Sequence, residues 1–101
     1  MPKKLIDYSK TVIYKIQHIE IESLVYVGST TDFTRRKNQH KTACNNPNHK
    51  EHNHKKYKNI RENGGWDEFR MIVIKKFPCN NKREAETEEE ECRKELKANM
   101  N

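Results

Sequence analysis

Three stretches of this chain concentrate its β-branched and aromatic side chains: "TVIYKIQ" at 11–17, "LVYV" at 24–27 and "EFRMIVIKKF" at 68–77. Each has the composition of a β-strand. The first two are separated only by the polar "HIEIES", which is too short for a crossover helix and therefore dictates an antiparallel hairpin. On that hairpin Tyr14 shares a face with Val12 and Ile16, and Tyr26 shares one with Leu24. Gly28 is expected to end the second strand, and Pro78 to close the third.

Helices fill the intervals. "STTD" offers several N-caps, with Asp32 the best placed, for a first helix from about Phe33 to Ala43. "CNNPNHKEHNH" reads as a loop. A second helix spans about His52 to Glu62, turns Tyr57 and Ile60 inward and stops at "NGG". "NNK" introduces a third, from about Arg83 to Lys97. There are no repeats and no linker, so residues 1–101 are expected to form a single domain. The order ββααβα suits a small antiparallel sheet flanked by helices, in the α+β class.

Hydrophobic residues make up only 32% of the chain, so a charged side chain on an inner face needs a reason. At 100° per residue, Phe33, Arg36, His40, Ala43 and Cys44 fall in one stripe, while Arg35 points the opposite way. Residues 84 to 95 hold seven glutamates, most of them on a solvated face. Glu89, however, lies nearest the middle of the Ala85, Cys92 and Leu96 stripe. An inward Arg36 calls for a carboxylate or a phosphate to face it. A structural ion pair between the first and third helices would also meet that need.

The formal charge of +6 favours a polyanionic partner such as nucleic acid. Three cysteines, Cys44, Cys79 and Cys92, show no disulfide spacing. The start "MPKKLIDYSK" lacks the apolar core of a signal peptide, and no stretch is long and apolar enough to span a membrane. These features predict an intracellular protein, in cytoplasm or nucleus and not secreted, with free thiols. Two strand tyrosines, an inward Arg–His pair and one inward glutamate match the needs of phosphodiester hydrolysis. A water must lose a proton, and charge must be neutralised on the phosphorus oxygens and on the departing alkoxide. Arg binds a non-bridging oxygen through its fork. A single glutamate suits Mg²⁺, which keeps most of its waters.

At these positions the sequence resembles the GIY-YIG nuclease superfamily. "VIY" at 12–14 stands for the first signature, "YVG" at 26–28 for the second, and Arg36 and His40 form "RxxxH" eight residues after the glycine. The likeness runs through "IRENGG" to the closing "ANMN", and among family members it is greatest to short proteins of large DNA viruses and phages. The resemblance implies a compact fold around a three-stranded antiparallel sheet. It implies Mg²⁺- or Mn²⁺-dependent cleavage of DNA to 5′-phosphate and 3′-hydroxyl ends. Carried over by position, Tyr14 and Tyr26 are the signature tyrosines, one of which, Tyr14 ahead of Tyr26, would activate or position the water with His40 as its proton partner. Arg36 would bind the scissile phosphate and Glu89 the single metal. Gly28, Ser29, Thr30, Lys37 and Asn101 would meet substrate. Val12 and Val27 depart mildly from the signatures, and Ser29, Thr30 and Thr31 stand where some relatives carry a lysine. The short chain leaves little surface for sequence recognition, so a homodimer or a separate specificity partner is expected.

Other readings attach to the same residues. A non-catalytic nucleic-acid-binding domain would need the basic surface but not Glu89. Cys44, His49, His52 and His54 are the residue types of a zinc site, without the usual ligand spacing. In a solvated loop they would accompany Lys50, Lys55, Lys56 and Lys58 against a DNA backbone. Trp66 is expected to pack at the sheet edge rather than on a base.

Overall fold

A computed structural model describes residues 6–101 of the chain. Strand β1 is Val12–His18, β2 Val25–Thr30 and β3 Phe69–Lys76; helix α1 is Phe33–Asn45, α2 Lys55–Glu62 and α3 Lys82–Glu95. Single 3₁₀ turns, Tyr8–Lys10 and Trp66–Glu68, precede β1 and β3. The sheet has the order β2-β1-β3, antiparallel throughout, so β1 is its centre. This is the α+β architecture the strand and helix signals predict.

Alternation along β1 sends its side chains to two separate cores. Tyr14 and Ile16 join Phe69 and Met71 of β3, Ala43 and Cys44 of α1, and Tyr57 and Ile60 of α2. Ile13 joins Val25 and Val27 of β2 and Cys92 of α3. Helices α1 and α2 therefore cover one face and α3 the other. A one-residue slip breaks the β1–β3 register, because Ile13 pairs with Lys75 but Tyr14 with Val73, leaving Ile74 as a bulge. Bulges of this kind re-aim the neighbouring side chains. Here it falls beside Tyr14.

Local capping follows the sequence closely. The Asp32 carboxylate accepts the Arg35 N–H at 3.1 Å, and the Asn81 side chain accepts that of Glu84 at 3.0 Å. At the end of α2, Gly64 and Gly65 have φ of 103° and 88°, and the Gly65 N–H reaches the Ile60 carbonyl at 2.8 Å. Only glycine takes such angles without strain, which is why the helix ends at this pair.

Four boundaries differ from expectation, the first being α1, which runs to Asn45 rather than Ala43. Strand β2 does not end at Gly28 but continues to Thr30, because Gly28 still pairs with Tyr14 in the ladder. Helix α2 begins at Lys55 rather than His52; residues 46–54 instead form successive turns, and the His52 side chain bonds the Ala43 carbonyl at 2.9 Å. Helix α3 ends at Glu95, so Leu96 lies beyond it and is exposed instead of completing the apolar stripe.

The segment after α3 is tied to β2. The Met100 N–H donates to the Val25 carbonyl at 3.0 Å. Asn101 accepts the Val27 N–H at 3.0 Å and donates to the Val27 carbonyl at 2.8 Å. The outer edge of β2 is thus closed by the residues that follow α3.

Candidate active site

The hairpin register places Tyr14 directly opposite Gly28, and the Tyr14 ring lies across that glycine. A Cβ at position 28 would stand 2.5 Å from the Tyr14 hydroxyl and 2.6 Å from Cζ. Gly28 is therefore required as space for a tyrosine, not as a strand breaker. The Tyr14 hydroxyl, held this way, is 2.7 Å from His40 Nε2. On its other side the imidazole contacts the Tyr57 hydroxyl, 2.7 Å from Nδ1. His40 is buried, edge-on to both Tyr14 and Tyr26, and roughly parallel to Trp66 at 6.5 Å. Trp66 thus packs against the core that holds His40.

A cavity of about 320 Å³ opens where the ends of β1 and β2 meet α1 and α3. Tyr14, Tyr26, Ser29, Thr30, Arg36 and Glu89 all line it. Glu89 is half-buried and accepts the Ser29 hydroxyl at 3.1 Å. Arg36 is exposed at the mouth rather than turned beneath the sheet, and its guanidinium reaches Gln39 at 3.3 Å. Its position at the edge of the helical stripe, with a long flexible stem, lets the charge stay in water while facing the cavity. Among the described residues Arg36 and Glu89 form no ion pair, so the structural bridge between α1 and α3 is not made.

Not every candidate converges. Gly28 is buried beneath Tyr14 and does not line the cavity. Lys37 lines a different groove, with Trp66 and Ile72. Asn101 spends both polar atoms of its side chain on Val27. The wider groove along the outer side of α1, with Arg35, Asn38 and His49, holds none of the candidate catalytic residues. Among the described residues no three His, Cys, Asp or Glu side chains are placed to hold a metal together, which leaves the zinc reading without a site.

Burial disfavours the charged forms of Tyr14, Tyr26, His40 and Glu89. Burial pushes the Tyr14 phenol above its ordinary range, with Tyr26 adding to this and Arg36 opposing it. Tyr26 moves the same way, by burial and then the nearby Glu89. Burial, together with the cations Lys56 and Arg36, lowers His40 from 6.5 to about 3, so the imidazole is neutral at physiological pH. Glu89 is raised by burial, against the Ser29 hydrogen bond, and Glu86 adds to the rise. A carboxylate in this position gains from a cation.

The whole arrangement is spanned by one family. A sequence model of the GIY-YIG catalytic domain matches residues 10–101. The chain belongs to the GIY-YIG family. No curated protein and no solved structure matches it. The GIY-YIG domain is that of a nuclease superfamily, and its two tyrosine signatures here are the paired strands that build the cavity wall.

Sequence reasoning missed two members of this GIY-YIG site. Tyr57 reads as core, yet its hydroxyl holds His40. Lys56 reads as a loop cation, yet it is half-buried over the Tyr26 and Tyr57 rings, 4.9 and 5.1 Å from their centres. One signal was available: a buried histidine needs a partner for each ring nitrogen, and Tyr57 is the one tyrosine on the inner face of α2.

Proposed function

We propose that this GIY-YIG domain is a metal-dependent endonuclease that hydrolyses DNA phosphodiesters to 5′-phosphate and 3′-hydroxyl ends. The observation that carries the reading is the meeting of Tyr14, Tyr26, Arg36 and Glu89 around one cavity, with His40 bonded behind Tyr14. Each supplies something the reaction needs. Arg36, exposed and without a carboxylate partner among the described residues, is free to take a non-bridging phosphate oxygen. Tyr14, whose phenolate burial disfavours but Arg36 favours and a cation held by Glu89 would favour further, takes a proton from the attacking water, whose oxygen bonds to phosphorus as the P–O3′ bond breaks. The departing alkoxide takes its proton from solvent. Tyr26, in the same wall, orients water and substrate.

Glu89 fits a divalent cation. Its half-buried carboxylate is without an ion-pair partner among the described residues, and only Ser29 donates a side-chain hydrogen bond to it. A lone carboxylate beside a phosphate site suits Mg²⁺ or Mn²⁺, which draws its remaining ligands from water and substrate. When bound, the metal would supply charge neutralisation for the phosphorane and the leaving oxygen. Glu89 would hold it, and Ser29 would keep the carboxylate turned toward the cavity.

Ser29 and Thr30, on the same wall, would contact the substrate backbone, and the exposed Lys55 and Lys58 would add phosphate contacts outside the cavity. The test is incubation of supercoiled plasmid with the protein and Mg²⁺ or Mn²⁺. Nicking that stops on chelation, with nicks that DNA ligase seals, is the expected result. Binding of plasmid without any nicking under either metal would replace the proposal with a non-catalytic nucleic-acid-binding domain.

A further inference from the structure

His40 is clamped between two phenols, and which phenol donates sets what the imidazole does. Both contacts are 2.7 Å, so both are real hydrogen bonds. A neutral imidazole carries one N–H and one lone pair. The doubly protonated form has no support in this surrounding: His40 is 3% exposed, and the charged groups nearest it are the cations of Lys56 and Arg36.

The two phenols differ in their access to other partners. Tyr57 is 3% exposed, and His40 Nδ1 is the only hydrogen-bond partner of its hydroxyl among the described residues. A buried hydroxyl that fails to donate loses about 1–3 kcal/mol of hydrogen bonding to water with nothing in return. Tyr14, at 1% exposed, is no more open to bulk solvent, but it forms part of the cavity wall and Tyr57 does not, so an acceptor held in the cavity can take its proton. The accounting closes in one way. Tyr57 donates to Nδ1, the single imidazole proton sits on Nε2, and that N–H donates to the Tyr14 oxygen.

We propose that Tyr57 is a positioning residue that locks His40 in its Nε2–H form, so that His40 donates to Tyr14 and the Tyr14 proton points into the cavity. His40 is then not the acceptor of the Tyr14 proton in the resting site. Its N–H, together with Arg36 on the same cavity, supports the negative charge that develops on the Tyr14 oxygen as that proton leaves through the cavity, and this oxygen takes the proton of the attacking water. The cleavage consequence rests on the nuclease function proposed above. The hydrogen-bond direction does not.

The experiment is long-range ¹H–¹⁵N correlation spectroscopy of the full chain labelled with ¹⁵N-histidine, without metal or DNA. His18 gives an internal reference, because backbone groups fix its form. Its Nδ1 accepts the N–H groups of Glu20 and Ile21 at 3.0 Å, and its Nε2–H donates to the Asn63 carbonyl at 3.0 Å. His40 is expected to show the same pattern as His18. A protonated Nδ1 in wild type, alone or together with a protonated Nε2, overturns the proposal. In Tyr57→Phe the ring and its packing remain, and His40 is expected to show a mixture of both neutral forms. In nicking assays kcat should fall about tenfold with KM unchanged, the scale on which groups that orient a catalytic side chain act. A variant that keeps the pure Nε2–H form and full kcat also overturns it. Should Tyr57→Phe fail to fold, the wild-type spectrum still decides the direction of donation. If neither protein cleaves DNA while His40 is locked in wild type and mixed in the variant, the nuclease reading fails and the role of Tyr57 stands.

Discussion

Gly28 and Tyr14 make one unit in this protein, since the tyrosine occupies the volume a side chain at 28 would need. Gly28→Ala is expected to push the Tyr14 ring off His40 and to destabilise the fold by about 1–3 kcal/mol, as overpacking does. Urea unfolding would measure the stability, and loss of plasmid nicking the displaced phenol. His40 gives a second test at this scale. Its folded-state pKa of about 3 lies below its ordinary 6.5, so in acid the unfolded chain takes up a proton that the folded chain does not. Its titration therefore adds no pH dependence to stability above pH 6.5. As pH falls below that value toward 3, stability should drop by about 1.4 kcal/mol per pH unit from this group. Urea melts between pH 7 and pH 4 should show the decline, and His40→Asn should flatten it. Helical periodicity made His40 readable as inward, because a short ring on a stripe has one direction to go. Arg36, at the edge of the same stripe, was misplaced because its long stem uncouples the charge from the direction of its Cβ.

At the scale of elements, strands and helices were legible because each apolar run, cap and glycine pair agreed with its neighbours. The misplaced ends have physical causes. Gly28 stays in the ladder because a close tyrosine, rather than a turn, demands it. Helix α2 starts late because residues 46–54 are engaged in successive turns, with the His52 side chain bonded to the Ala43 carbonyl. What no local pattern announced was the return of the segment after α3 along β2, a contact across 74 positions of sequence. Asn101 acts there as a peptide-like partner for Val27. Asn101→Ala should lower stability by about 1–2 kcal/mol, the worth of two hydrogen bonds. In denaturant melts and cleavage assays on the same sample, a stability loss with KM for DNA unchanged is the expected pattern. A raised KM with stability intact would assign Asn101 to substrate instead.

Across the whole molecule, charge is divided between a basic region on α1, α2 and their connecting loop and an acidic α3 that contributes Glu89 to the cavity. No helix among the described residues is long and apolar enough to cross a membrane. With a formal charge of +6, affinity for DNA should fall steeply as salt rises. Replacing Lys55 and Lys58 with glutamine should weaken binding and reduce the salt slope by about one unit per lysine, with kcat unchanged at saturating DNA. Fluorescence anisotropy over a salt series would show it. The central claim is that one carboxylate, one guanidinium and one phenol in a shared cavity cut the phosphodiester together. Single-turnover cleavage of a labelled DNA duplex in Mg²⁺, with Glu89→Gln beside wild type, tests it most directly. The account predicts a fall of about a hundredfold or more in the cleavage rate with fold and DNA affinity retained, the scale of losing a group that neutralises transition-state charge. A Glu89→Gln protein that cuts as fast as wild type would contradict it.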